Sequence, residues 1–269
     1  MNKFSIEIFK SKSQSSALES LNDTFFSEKN LKISFSKNNF SYLSPSVNKK
    51  YFALSSILSH DRERIINNYQ FVDKECSDTE ILLDLYLKFG RNFFSSFGSD
   101  FFFFVYDIEN NTSLIARDHI GFNSIYYSKK NDSLFISSTL KDLKKISGND
   151  FKIDNKVVEN FLQLDTFSNE KTFYKEVFKI PPSSVLEYSG QSTSIFNYPK
   201  FKDMELNKSN SSQIEGLKRM LKKSIIRKEE FEDNKVGFLF SGGIDSTTIL
   251  SFFSKYDKHN KKLYAYTAK

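Results

Sequence analysis

Ser241-Gly242-Gly243-Ile244-Asp245-Ser246 is the stretch whose residue types and spacing point most clearly to chemistry. It follows a short apolar run, Val236 to Phe240, and precedes a helical pattern from Thr247 to Tyr256. Adjacent glycines let a backbone curl around a ligand with no Cβ in the way. A helix start leaves its first N–H groups free, and the helix dipole adds partial positive charge, so the turn suits an anion. Ser241, Ser246 and Thr247 add hydroxyl donors. Asp245 alone would repel a phosphate; a Mg²⁺ bridging it to phosphate oxygens explains its presence. The turn lacks the lysine of the GxxxxGK[ST] loop that serves γ-phosphate transfer. The expected ligand is a phosphate group. The competing reading is an ordinary Ser/Gly turn between strand and helix.

Other reactive side chains are sparse. The one cysteine, Cys76, excludes a disulfide framework and a multi-cysteine metal site, and reads as a packing residue. Ser183 and Ser184 follow Pro181-Pro182 and read as turn residues rather than nucleophiles. Arg117 and Asp118, at a strand end and a turn, are expected to make structural hydrogen bonds, and His119 reads as a turn residue.

The elements that must position these groups follow from periodicity. Residues 1–50 are polar with short alternating stretches such as Leu31-Lys32-Ile33-Ser34-Phe35, predicting edge or half-exposed strands. Ser77 to Gly90 predicts a capped helix, and Asn92 to Phe97 a second short one. Phe101 to Asp107 is a continuous apolar run that predicts a strand buried on both faces. Ser113–Arg117, Ser124–Tyr127 and Leu134–Ser138, separated by turn residues, predict the rest of one antiparallel meander. A helix is predicted over 155–165, a short strand over Thr172–Val177, another strand over Val185–Tyr188, and a linker over 201–212. Ile214, Leu217, Leu221 and Ile225 share one face of an amphipathic helix. The final order, Val236–Phe240, loop, helix, Leu263–Thr267, opens a parallel doubly wound sheet.

The chain has 269 residues, 39% hydrophobic and 27% charged, enough for a packed core and too apolar for disorder. No run approaches the roughly 20 apolar residues of a membrane span, and the N-terminus lacks a signal-peptide pattern, so a cytoplasmic protein is expected. The net charge of +6 is scattered and almost all lysine, so nucleic acid is not an expected partner.

The loop resembles the SGGxDS pyrophosphate loop of ATP pyrophosphatases. Asp78-x-Glu80, Leu85-Tyr86, Gly90, Gly98, the Phe101–Asp107 run, Ala116-Arg117-Asp118-His119-Ile120-Gly121, Thr172-Phe173-Tyr174-Lys175 and Pro181-Pro182 resemble the glutaminase-type domain of the asparagine synthetase family. The resemblance covers about residues 60 to 269. It implies an N-terminal-nucleophile-hydrolase-like α/β/β/α sandwich over 1–200, then, over 213–269, the start of a doubly wound ATP-pyrophosphatase domain. It further implies ATP and Mg²⁺ as cofactors and a carboxylate substrate. The carboxylate attacks the α-phosphate, pyrophosphate leaves into the loop formed by Ser241, Gly242, Gly243, Asp245 and Ser246, and ammonia or an amine then forms the amide. Tyr264 to Thr267 would face adenine, through Tyr266 and Thr267, and Asp78 would pair with the ammonium of glutamine.

The sequence departs from the family where its nucleophilic cysteine should follow Met1: Asn2 stands there. The Asn-Gly oxyanion segment expected near 52–60 reads Phe52 to His60 without that pair. Loss of glutaminase activity is therefore expected, with Asp78 serving as a helix cap. The last strand ends near the C-terminus, whereas a doubly wound domain takes about 100–150 residues. A truncated product, or a split protein completed by a second chain, is expected. Three functions stay open: an asparagine-synthetase-like ligase, an intramolecular amide former of the β-lactam synthetase or lasso-peptide cyclase kind, and a non-catalytic interaction or regulatory remnant.

Overall fold

The computed structural model describes residues 3–9, 24–28, 30–35, 40–43, 50–56, 62–69, 75–98, 100–164, 170–190, 192–198, 210–226, 235–256 and 261–267. The chain divides into two compact units, Met1–Lys202 and Asp203–Lys269.

The first unit is built on two six-stranded antiparallel sheets. One holds β1 (Phe4–Ile8), β2 (Thr24–Glu28), β3 (Leu31–Phe35), β8 (Tyr126–Lys130), β9 (Ser133–Ser137) and β10 (Phe178–Lys179), in the order β10-β8-β9-β1-β3-β2. The other holds β4 (Phe40–Leu43), β5 (Tyr51–Ser56), β6 (Phe102–Asp107), β7 (Thr112–Arg117), β11 (Ser184–Tyr188) and β12 (Thr193–Asn197), in the order β12-β11-β7-β6-β5-β4. Their facing surfaces form one core, in which Phe4 stacks on Phe102 with ring centroids 4.3 Å apart.

The phenylalanine run explains itself through strand alternation. Phe102, Phe104 and Tyr106 enter the core between the sheets. Phe101, Phe103 and Val105 point the other way, into a second core beneath a helix, α2 (Asp78–Phe89). Ile81, Leu82 and Leu85 line the buried face of α2. On the outer side of the first sheet, Leu143 and Ile146 of α3 (Leu140–Ser147) pack with Phe135 and Val177. Two sheets with helices outside both make a four-layer α/β/β/α sandwich. A short α1 (Arg62–Asn68), a 3₁₀ helix (Arg91–Ser96) and α4 (Asn155–Leu164) complete the described helices of this unit.

Several elements differ from the sequence expectation. β1 is no edge strand. It lies between β3 and β9 and is buried along its length. Its polar residues are accommodated by register: Glu7 lies opposite Lys32, and the Ser5 and Ser137 hydroxyls meet at 3.1 Å. The expected meander is two hairpins, one in each sheet. β6 and β7 pair in the second sheet, β8 and β9 in the first, because the chain crosses over between Arg117 and Tyr126. The β8–β9 turn has Asn131 and Asp132 both at positive φ, the geometry of a two-residue hairpin loop. The Tyr188 hydroxyl of the second sheet donates to the Asp132 carbonyl in that turn, tying the sheets together at 2.7 Å. Thr172–Val177 is not a strand: the Thr172 hydroxyl folds the segment by bonding the Tyr174 and Val177 carbonyls, Tyr174 makes a single antiparallel bridge to Ile153, and the strand that joins the sheet is Phe178–Lys179.

The second unit contains α5 (Asn210–Ile226), β13 (Lys235–Leu239), α6 (Ile244–Tyr256) and β14 (Lys262–Tyr266). β13 and β14 pair in parallel. α5 begins inside the expected 201–212 linker, whose residues 201–209 lie outside the described residues. No helix among the described residues is long and apolar enough to cross a membrane.

Candidate functional site

The Ser241–Ser246 turn stands at the carboxyl end of β13 and opens α6. Gly242 has φ +78°, a conformation glycine takes without strain, and a Cβ there would meet only open space. Ser241 Oγ lies 3.2 Å from Ser246 Oγ and accepts from the Gly243 N–H at 3.4 Å. Ser246 Oγ also donates to the Gly243 carbonyl, and the Thr247 N–H closes the first helical bond to the same oxygen. Ser241 to Asp245 are exposed and Ser246 is half-buried, with Asp245 in the first helical turn. A wide concavity borders it, lined by Gly242, Ile244, Thr247, Thr248, Ser251 and Phe252. Open space over a positive-φ glycine, free N–H groups and two hydroxyls fit a phosphate group bound there. Among the described residues no three His, Cys, Asp or Glu side chains gather as a metal cage, so a Mg²⁺ here would be held by Asp245 with the phosphates.

Tyr266 ends β14 and Thr267 follows it, alongside the carboxyl end of β13, since Leu239 pairs with Tyr266. The Tyr266 carbonyl accepts from the Phe240 N–H at 2.7 Å. The structure thus brings the expected adenine-side residues to the same sheet edge as the loop.

Asp78 is in the first unit and does not cap α2. Ser77 does, in a capping box: its hydroxyl accepts from the Glu80 N–H, and the Glu80 carboxylate accepts from the Ser77 N–H. The buried Asp78 carboxylate instead pairs with the Arg62 guanidinium, which also donates to the Cys76 carbonyl. Asn2, together with Ile57 to His60 of the expected oxyanion segment, lies outside the described residues; Phe52 to Ser56 are strand β5.

Where the chain crosses between the sheets, Arg117 and Asp118 make the structural hydrogen bonds expected of them. The buried Arg117 guanidinium donates to the Ile180 and Gly121 carbonyls, and burial pulls its pKa below the usual guanidinium range. Asp118 accepts from the N–H groups of Ile120, Gly121 and Phe122 at 3.0, 2.7 and 3.1 Å. His119 Nδ1 meets the Ser183 hydroxyl at 3.2 Å. These partners are separated by 64 residues, so no local spacing announced them. Ser183 is a fully buried turn residue with φ +56°, whereas Ser184, expected in the turn, is the equally buried first residue of β11; neither is open to substrate. Gly121 has φ +70°, and a Cβ on it would lie 2.8 Å from Arg117 and Pro182. Gly121→Ala is therefore expected to cost about 2 kcal/mol, measurable as a lower urea midpoint.

Residues 60–199 match the family model described as "Glutamine amidotransferase domain". The asparagine synthetase [glutamine-hydrolyzing] 1 of Bacillus subtilis is 25% identical over 181 residues, covering 67% of this chain and 28% of that protein. The asparagine synthetase B [glutamine-hydrolyzing] of Escherichia coli is 26% identical over 192 residues, covering 71% and 29%. The microcin J25-processing protein McjC of Escherichia coli is 24% identical over 141 residues, covering 52% and 26%. The chain spans about a third of the length of the curated relatives it matches. The four-layer sandwich is the N-terminal-nucleophile-hydrolase-like fold, and the chain belongs to the glutamine amidotransferase domain family, with asparagine synthetases among its relatives.

Proposed function

We propose that this chain is part of an ATP-dependent, amide-forming ligase of the asparagine synthetase kind whose glutaminase half is inactive. The observation that carries the ligase reading is the Ser241–Ser246 turn, with its positive-φ Gly242, at a strand end and a helix start. ATP with Mg²⁺ supplies the activation of a carboxylate and leaves pyrophosphate. The N–H groups opening α6 and the hydroxyls of Ser241 and Ser246 hold that anion. Asp245 shares the cation.

Two observations support an inactive glutaminase half. The only cysteine in the sequence is Cys76, beside the start of α2, and Asn2 follows Met1. The Asp78 carboxylate, which would hold an α-ammonium, is paired within the chain to Arg62.

A second chain is the proposed partner of the small parallel sheet. Leu239 is 89% exposed and Tyr266 60% exposed, and parallel sheets have both faces covered. The second reading is an intramolecular amide former, and a relative named for microcin J25 processing is in keeping with it.

The deciding experiment is carboxylate-dependent exchange of labelled pyrophosphate into ATP, with the complementary chain supplied. Exchange is expected, and Gly242→Val is expected to abolish it by filling the cradle. No exchange under those conditions would overturn the ligase reading. Glutamine hydrolysis by the purified chain would overturn the inactive half.

A further inference from the structure

A cleft of about 470 Å³ opens on the outer face of the second sheet, beside the last turn of α2. Tyr51 and Tyr86 give it aromatic walls, Asp107 and Glu187 give it carboxylates, and Thr112 and Ser194 give it hydroxyls. The hydroxyls of Tyr86, Thr112 and Ser194 have no hydrogen-bond partner among the described residues. Asp107 is held in place by the N–H groups of Glu109 and Asn110.

The nearby field is mainly negative, and two cations oppose it: Arg91, and Lys50, whose ammonium lies 5.4 Å from the centre of the Tyr51 ring and pairs with Glu109 at 3.8 Å. The carbonyl end of α2 carries partial negative charge, and the two carboxylates add to it. Burial first, and then Glu187, raise the pKa of the Tyr86 phenol, with Asp107 acting in the same direction. The Arg91 guanidinium is the cation on Glu187: it donates to Glu187 Oε1 at 2.9 Å and lies 3.8 Å from the centre of the Phe196 ring. The rim therefore already holds a cation between a carboxylate and an aromatic face, a combination that favours organic cations. The second oxygen of Glu187 remains for another.

We propose that this cleft is a binding site for a primary alkylammonium group, with Glu187 as its counter-charge, the Tyr86 ring and hydroxyl as its wall, and Arg91 as an internal competitor. The site is in the first unit and stands independently of any nucleotide at the Ser241 loop.

The test is an NMR titration of the full-length chain with n-butylammonium, and with n-butanol as the uncharged isostere. Saturable shifts are expected for the amine with a Kd of about 1 mM, and none for the alcohol. Glu187→Gln is expected to weaken the amine at least about tenfold. Arg91→Gln is expected to tighten it about fivefold, because it frees the Glu187 carboxylate. A gain of affinity cannot come from a damaged fold. The proposal fails if the amine does not saturate by about 50 mM, if the alcohol binds equally well, if Glu187→Gln binds like the parent, or if Arg91→Gln does not bind more tightly.

Discussion

Arg117→Met is expected to lower the unfolding free energy by about 3 kcal/mol, read as a fall in the urea midpoint of the first unit. The guanidinium lies at the crossover between the sheets and holds two carbonyls that are distant in sequence, Gly121 on one side and Ile180 on the other. Removing it leaves both carbonyls short of a donor and takes away the cation nearest the buried Asp118. The loss is kept below the upper range for buried ionic groups because Arg117 Nε already lacks a partner. Arg117→Lys is not expected to rescue, since a single ammonium cannot reproduce the planar fork that spans the two carbonyls. A lysine variant as stable as the parent would show that charge alone, not geometry, holds the crossover.

Phe102→Ala is expected to cost about 4 kcal/mol by the same measurement. Phe102 is the second-sheet half of the stack with Phe4, and both rings are almost wholly buried. Its removal opens a void between two sheets that are each fixed by their own hydrogen bonds and so collapse little. Phe122→Ala is the contrasting case. That ring, two residues beyond Ile120 on the crossover turn, is 72% exposed, and its loss is expected to change stability by less than about 0.5 kcal/mol. Equal effects for the two substitutions would contradict the placement of the core.

Much of this architecture is legible in local residue order. The Phe101–Asp107 run signals a strand buried on both faces, because no polar residue interrupts it until Asp107. Ser77 and Glu80, three apart, announce the start of α2, and Gly90 its end. The Ser241 loop is legible because its chemistry is contiguous. What stayed hidden is whatever depends on which strands become neighbours. The β8–β9 hairpin reads like a continuation of the β6–β7 hairpin before it, yet it joins the opposite sheet. β1 reads as a half-exposed strand because Ser5 and Glu7 are polar, and only its two neighbours show why those side chains can be buried. The Arg117–Ile180 bond and the His119–Ser183 contact join positions that no periodicity relates.

The central position of β1 also bears on how the chain is made. β1 is synthesised first, but Ser5 meets its β9 partner only 132 residues later. At ribosomal speeds that is a wait of roughly ten seconds. Through that interval one edge of the strand has no hydrogen-bonding neighbour, while β3 on the other side is available almost at once. The middle of the first sheet thus closes only when β9 is made, and until then the nascent chain carries an open strand edge at a place that the finished protein buries completely.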